Sequence, residues 1–327
     1  MRTIAHAPAS SFTAALHLSS RRTHFRALSS QPYRGRFAPS PSGPLHFGSL
    51  VAALASYVDA RSRGGTWLVR IEDLDRPRVV AGAADDILRT LETCGMEWDG
   101  PVVYQSRRKE AYHHALHELR RGGALYACAC SRREIVDSAL AGIEGYVYPG
   151  TCRNGVPMGR RARAWRVRTR AGRYGFMDAV QSPVEQDIEC EIGDFVVYRV
   201  DGIFAYQLAV VVDDAEQGIT DVVRGADLIE STPRQIYLQT LLRLPSVRYA
   251  HVPVAVSGRG EKFSKQTHAP PIARTNAAQA LHAALRFLGQ SPPPELAAAP
   301  VADAIRWALA NWQLDRVPRA RTAPAEK

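Results

Sequence analysis

The stretch from Tyr33 to Ile71 limits the fold more than any other part of the chain. Tyr33-Arg-Gly-Arg-Phe-Ala38 reads as a short strand, and Pro39-Ser-Pro-Ser-Gly-Pro44 can form only a loop. His46 to Arg61 then carries Leu50, Leu54, Tyr57 and Val58 at helical spacing, and Thr66-Trp-Leu-Val-Arg-Ile71 reads as a second buried strand. A helix between two such strands is a crossover, so the strands are parallel. The expected fold class is therefore α/β, a Rossmann-like doubly wound parallel sheet.

Around this unit the chain divides by composition. Residues 1–32 hold Arg2, Arg21, Arg22 and Arg26 with many Ser and Ala, and the first carboxylate of the chain is Asp59. That stretch is expected to be a disordered or targeting-like extension. Residues 33–104 form the first half of the nucleotide-binding sheet. Residues 105–200 read as an inserted α+β subdomain, with a helix over Lys109–Arg121, a cysteine cluster and an alternating strand at Trp165–Arg170. Residues 201–243 supply the second half, where the apolar run Ile203–Val212 reads as a buried strand and Thr232–Leu242 as a helix. Residues 244–327 hold a Gly-rich lysine loop, amphipathic helices over Ala277–Leu288 and Val301–Trp312, and a Pro/Arg/Ala tail expected to be disordered.

A formal net charge of +10 favours an acidic partner, and nucleic acid is the commonest partner of such a chain. The excess is concentrated in Arg160, Arg161, Arg163, Arg166, Arg168, Arg170 and Arg173. No apolar run reaches the roughly 18 residues of a membrane span, and 5 unevenly spaced cysteines exclude a disulfide framework. The expected location is cytoplasmic, or organellar if residues 1–30 are a transit peptide, and the chain is read as a monomer.

Two short elements carry the chemistry. Pro44-Leu-His-Phe-Gly-Ser49 lies where a strand, a loop and a helix N-terminus meet, a natural seat for phosphate. An imidazole there can donate to a phosphate, and a glycine lets a flat ring approach the backbone. Far downstream, Lys262-Phe-Ser-Lys-Gln266 follows Ser257-Gly-Arg-Gly-Glu261, a flexible loop whose lysines suit the charge on a leaving pyrophosphate. Each element alone is as easily a surface loop. In this order, on an α/β chain, the pair resembles the "HIGH" and "KMSKS" signatures of class I aminoacyl-tRNA synthetases. Gly35-Arg-Phe-Ala-Pro-Ser-Pro-Ser-Gly43, Arg70-Ile-Glu-Asp-Leu-Asp75, Ala205-Tyr-Gln-Leu-Ala-Val-Val-Val-Asp-Asp214 and Val223-Arg-Gly-Ala-Asp227 resemble the glutamate-specific branch of that class. The loop departs from the usual signature in having Phe263 and Gln266.

That resemblance implies ATP with Mg²⁺ as a substrate, with His46, Gly48, Lys262 and Lys265 holding it and His46 and Lys265 acting in catalysis. It implies a glutamate pocket of Arg36, Phe37, Ala38, Pro39, Ser40, Glu72, Tyr206 and Arg224, with Glu72 on the substrate ammonium. The physical demand is consistent, since a dicarboxylic amino acid needs fixed guanidinium forks and one carboxylate for its amine. For Glu72 the competing reading is a salt bridge to a neighbouring arginine, and for Tyr206 it is core packing. After Lys265 there remain only Gln266 to Lys327, too short for an anticodon-binding domain of roughly 100 residues. The chain therefore resembles the short paralogues of glutamyl-tRNA synthetase, whose partners are L-glutamate, ATP and queuosine-containing tRNA(Asp). A truncated ligase acting on a tRNA 3′ end and an inactive RNA-binding paralogue are the alternatives.

Cys128-Ala-Cys130 and Tyr148-Pro-Gly-Thr-Cys152 form a second cluster. Residues i and i+2 of a strand share a face, and a turn at Pro149-Gly150 can return Cys152 to them, so three thiolates can meet one Zn²⁺. The resemblance implies Tyr148 as the fourth ligand, with Tyr146, Glu144 or water as rivals, and reduced buried cysteines as the bland alternative. Cys94 and Cys190 read as core thiols. Arg166, Arg168 and Arg170 would share one strand face, either tracking RNA phosphates or merely solvated.

Overall fold

The computed structural model describes residues 31–136, 140–142, 145–257 and 271–325. The extension over residues 1–30 and the lysine loop with Lys262 and Lys265 lie outside the described residues, as does Glu144.

The opening unit folds as its pattern requires. Strand β1 (Arg34–Phe37) leads through the proline loop into helix α1 (Phe47–Ser62), and β2 (Thr66–Ile71) returns parallel to β1 with Arg36 opposite Leu68. Helix α2 (Ala83–Thr93) precedes β3 (Val103–Tyr104), which pairs parallel with β2. The inserted part holds α3 (Lys109–Arg121), β4 (Leu125–Cys128), the short α4 (Arg132–Val136), and the hairpin of β5 (Leu140–Gly142) and β6 (Gly145–Val147). It continues with β7 (Ala164–Val167), the hairpin of β8 (Arg173–Phe176) and β9 (Val184–Asp187), and β10 (Val196–Arg199). Strands β10, β7 and β4 make an antiparallel sheet in that order.

The chain then re-enters the parallel sheet. Helix α5 (Tyr206–Glu216) leads to β11 (Asp221–Gly225), and α6 (Thr232–Leu242) to β12 (Arg248–Val252), which pairs parallel with β11. The N–H of Thr220 donates to the carbonyl of Arg34 at 2.9 Å, which sets β11 beside β1. The strand order is thus β3-β2-β1-β11-β12, with the topological switch point between β1 and β11, where doubly wound folds bind ligands.

Helix α1 is buried on nearly every side over Leu50–Ala60, because the sheet covers one face and the C-terminal helices α7 (Ala277–Phe287) and α8 (Val301–Asn311) cover another. Trp312 Nε1 donates to the buried carboxylate of Asp59 at 3.0 Å and ties the C-terminal part to α1.

Four expectations change. The run Ile203–Val212 is not a strand: from Tyr206 it is helix α5, buried between the sheet and the inserted part. A helix covered on both faces is as uniformly apolar as a buried strand, so periodicity does not separate them. The described part of the tail is ordered, with β14 (Thr322–Pro324) pairing parallel with β13 (Val254–Val256). Cys94 is a core thiol, pushed up to about 11 by burial, but Cys190 is exposed. Finally, the arginine face is largely turned inward: Arg166 is buried and donates to the Asp194 carbonyl at 2.6 Å, and Arg168 donates to the Arg153 carbonyl at 2.5 Å. Arg170 is exposed.

Candidate active site

A cavity of about 630 Å³ opens at the switch point. Arg36, Phe37, Ala38, Pro39 and Ser40 line it from β1 and the proline loop, His46 and Gly48 from the start of α1, and Tyr206 and Arg224 from α5 and β11. The Phe37 ring turns away to stack on Trp67 in the core, 6.4 Å between centroids. His46 is the N-cap of α1, its Nδ1 accepting from the Ser49 N–H at 3.3 Å. The first free amides of α1 and this imidazole therefore sit at one end of the cavity, where an anion is favoured.

Buried guanidinium groups of two kinds stand at the cavity and behind it, Arg36 and Arg224 in the lining and Arg70 below it. Arg36 and Arg70 are compensated. Asp214 accepts from Arg36 Nε at 3.1 Å and NH2 at 3.3 Å, and Arg70 NH2 lies 2.8 Å from the same carboxylate. Asp213, fully buried, accepts from Arg108 Nε at 2.6 Å, from Gln105 Nε2 at 2.8 Å and from the Tyr112 hydroxyl at 2.9 Å. Glu72 completes the group, its Oε1 3.4 Å from Arg70 NH2. Burial, only partly opposed by Arg70 and Arg36, pushes the Glu72 carboxyl up to about 7.

Arg224 differs. It is 6% exposed, and its bonds run to His251 Nε2 (3.1 Å), the Tyr206 hydroxyl (3.3 Å), Thr232 Oγ1 (2.8 Å) and Gln235 Oε1 (2.8 Å). Each of these acceptors is neutral. Among the described residues no carboxylate bonds directly to Arg224; the Tyr249 ring lies 5.5 Å from its guanidinium carbon and Asp227 lines the same cavity, so a buried cation faces the cavity without a counter-ion in contact, which suits an anionic ligand.

A family model described as "tRNA synthetases class I (E and Q), catalytic domain" matches residues 33–284. A glutamyl-Q tRNA(Asp) synthetase of Dechloromonas aromatica is 62% identical over 290 residues, covering 88% of this chain and 96% of its own length. That of Aromatoleum aromaticum is 59% identical, covering 90% and 93%. The chain belongs to the glutamyl-Q tRNA(Asp) synthetases of class I. Among solved structures, glutamate-tRNA synthetase from Elizabethkingia anophelis superposes with a TM-score of 0.74 at 22% identity, covering 90% of this chain and 68% of its own, which shows the class I Rossmann-like fold.

On this class I scaffold, sequence reasoning had gathered Arg36, Ala38, Ser40, His46, Gly48, Tyr206 and Arg224, and all of them line one cavity. Tyr206 is half-buried at the start of α5, its ring packed against the core while its hydroxyl accepts from Arg224. Glu72 is not among the lining residues but stands behind, against Arg70 as the competing reading had it, with its N–H on the Pro39 carbonyl at 2.9 Å. What the reading missed is the support: Asp213 and Asp214 at the end of α5, and His251, Thr232 and Gln235 around Arg224. A pair of acids closing an apolar run, with no base beside it in sequence, was the available signal for Asp213 and Asp214.

Away from the cavity, the Sγ atoms of Cys128, Cys130 and Cys152 all lie within 4.8 Å of one another. Tyr148 Oη is 3.4 Å from Cys128 Sγ and 3.4 Å from Cys130 Sγ, and Cys130 Sγ is 3.7 Å from Cys152 Sγ. Ligands about 2.3 Å from a tetrahedral ion stand about 3.8 Å apart, so three sulfurs and this phenol have the spacing and donor chemistry of a zinc site. Tyr146, 54% exposed, is no part of the cluster. No helix among the described residues is long and apolar enough to cross a membrane.

Proposed function

We propose that the chain activates L-glutamate with Mg·ATP and transfers the glutamyl group to the queuosine base at the wobble position of tRNA(Asp). The observation that carries the reading is Arg224, a buried guanidinium held by neutral acceptors at the wall of the cavity, suited to one carboxylate of the substrate. Glu72, which stands behind the lining against Arg70, is the carboxylate that this reading assigns to the substrate ammonium, a cation that would offset the burial holding its carboxyl up at about 7. Arg36, with Nε and NH2 committed to Asp214, contributes positive potential and one remaining edge.

In the first step an α-carboxylate oxygen of glutamate attacks the α-phosphorus of ATP, the bond to the bridging oxygen breaks, and pyrophosphate leaves with the electron pair. His46 and the amides of α1 stabilise the phosphates, and Gly48 leaves room for the nucleoside. Lys262 and Lys265 take the charge of the departing pyrophosphate. In the second step a hydroxyl of the queuosine cyclopentene ring attacks the acyl carbon, the bond from that carbon to the phosphate oxygen breaks, and AMP departs with the electron pair while the hydroxyl proton passes to solvent. No covalent bond to the protein forms, so the rate comes from positioning and charge neutralisation. Cys128, Cys130, Cys152 and Tyr148 would hold Zn²⁺, which supplies a structural clamp on the inserted part and no step of the reaction.

Glutamate-dependent ATP–pyrophosphate exchange, run with and without tRNA, tests the first step, and exchange without tRNA is expected. Labelled glutamate should then enter tRNA(Asp) carrying queuosine and not the same tRNA lacking it. Label on the 3′ end would establish the ordinary ligase instead.

A further inference from the structure

Arg224 and His251 are paired across adjacent parallel strands, Arg224 of β11 opposite His251 of β12, so their side chains leave the sheet on one face side by side. His251 is fully buried and does not line the cavity. Its Nε2 lies 3.1 Å from Arg224 Nε, and its Nδ1 2.6 Å from Asp178 Oδ2. The other oxygen of Asp178 accepts the N–H groups of Val180 (2.9 Å), Gln181 (2.8 Å) and His251 itself (3.2 Å). The ring packs against Phe176 and Tyr249, 5.8 Å and 6.1 Å between centroids.

The chemistry of these contacts fixes one proton arrangement. A guanidinium only donates, so Nε2 must present its lone pair to Arg224. An imidazolium there would set two cations 3.1 Å apart in a site without water-like screening. The single ring proton is therefore on Nδ1, donated to a carboxylate that three amides keep ionised. Held in this way, Nε2 fixes the Nε edge of Arg224, while Thr232 and Gln235 fix NH2, and NH1 alone turns to Tyr206 and the cavity.

We propose that Asp178 and His251 are positioning residues for substrate recognition: the carboxylate selects the imidazole tautomer, and the imidazole aims Arg224 at a carboxylate of the amino acid. This assignment rests on the function proposed above. It places specificity for an anionic amino acid in two residues that touch no substrate, and it explains why the cation that most needs an anion has a neutral histidine, not an acid, at its back: an acid there would compensate the charge and weaken the substrate site.

The test uses full-length protein and amino-acid-dependent exchange. His251→Leu removes the acceptor and should raise KM for glutamate roughly 10- to 100-fold, the cost of a lost bond to a charged group, with KM for ATP unchanged. His251→Gln, whose side-chain oxygen can stand near Nε2, should recover most of the loss. In ¹⁵N-histidine-labelled wild type at pH 7, His251 should show a protonated Nδ1 and a bare Nε2, a readout that survives if His251→Leu does not fold. Active wild type with an unchanged glutamate KM in His251→Leu, or a protonated Nε2, overturns the positioning role alone. Absence of glutamate-dependent exchange in the wild type overturns the function and this role with it.

Discussion

Glu72 offers a quantitative check on the site because its position opposes its charge. An ordinary glutamate ionises near 4.5 and Glu72 near 7, since burial outweighs the attraction of Arg70 and Arg36. The difference amounts to about 3 kcal/mol of ionisation free energy, and with the side chain only 9% exposed little of it is screened away. The folded chain binds more protons at this residue than the unfolded chain between pH 4.5 and 7. Stability from this group is therefore complete below about 4.5 and lost as pH rises through about 7. Glu72→Gln keeps the shape and removes the titration. In urea unfolding at matched pH, the variant and the wild type should have equal stability near pH 4, and the variant should exceed the wild type by about 3 kcal/mol at pH 8. The same substitution should lower kcat/KM for glutamate in the exchange assay by roughly 100-fold at pH 8, because the ammonium loses its partner. In the wild type, kcat/KM for glutamate should fall below pH 7 as Glu72 protonates. A stability difference that stays constant from pH 4 to pH 8 would refute the reasoning, since it would mean that the carboxylate is already satisfied without substrate.

Two other perturbations probe the support. Asp214→Asn leaves Arg36 and Arg70 buried with reduced compensation and should cost about 3 to 5 kcal/mol in urea unfolding, and a loss below about 1 kcal/mol would show that the two guanidiniums do not depend on it. Emission spectrometry should find zinc in the wild type and lose it in Cys152→Ser, whose melting temperature should fall, and a wild type free of zinc would sink the ligand assignment.

The parts of the molecule legible in the sequence are those in which one local signal maps to one structure. The strand, proline loop and helix from Tyr33 to Arg61 could hardly fold otherwise, and β1 and α1 follow it closely. The cavity lining was legible because Arg36, His46, Tyr206 and Arg224 belong to motifs whose order along the chain is distinctive. What was not legible depends on pairing at a distance. Nothing local in Tyr249-Ala-His251 distinguishes a histidine that serves an arginine 27 residues upstream, because the relation exists only once β12 lies beside β11. Alternation puts Arg166 on an outer face, tracking RNA phosphates or merely solvated, yet the Asp194 carbonyl and Tyr148 draw it inward, its guanidinium 3.9 Å from the Tyr148 ring centre. The same reasoning accounts for α5. Its helical period is hidden by burial on both faces, and what marks it in retrospect is the pair Asp213 and Asp214 at its end. Consecutive residues of a strand would point to opposite faces of the sheet. On a helix they lie about 100° apart, which lets Asp214 reach Arg36 while Asp213 reaches Arg108 and Tyr112. The acids that balance the site's compensated arginines can act together because this segment is a helix and not the strand that its composition suggests.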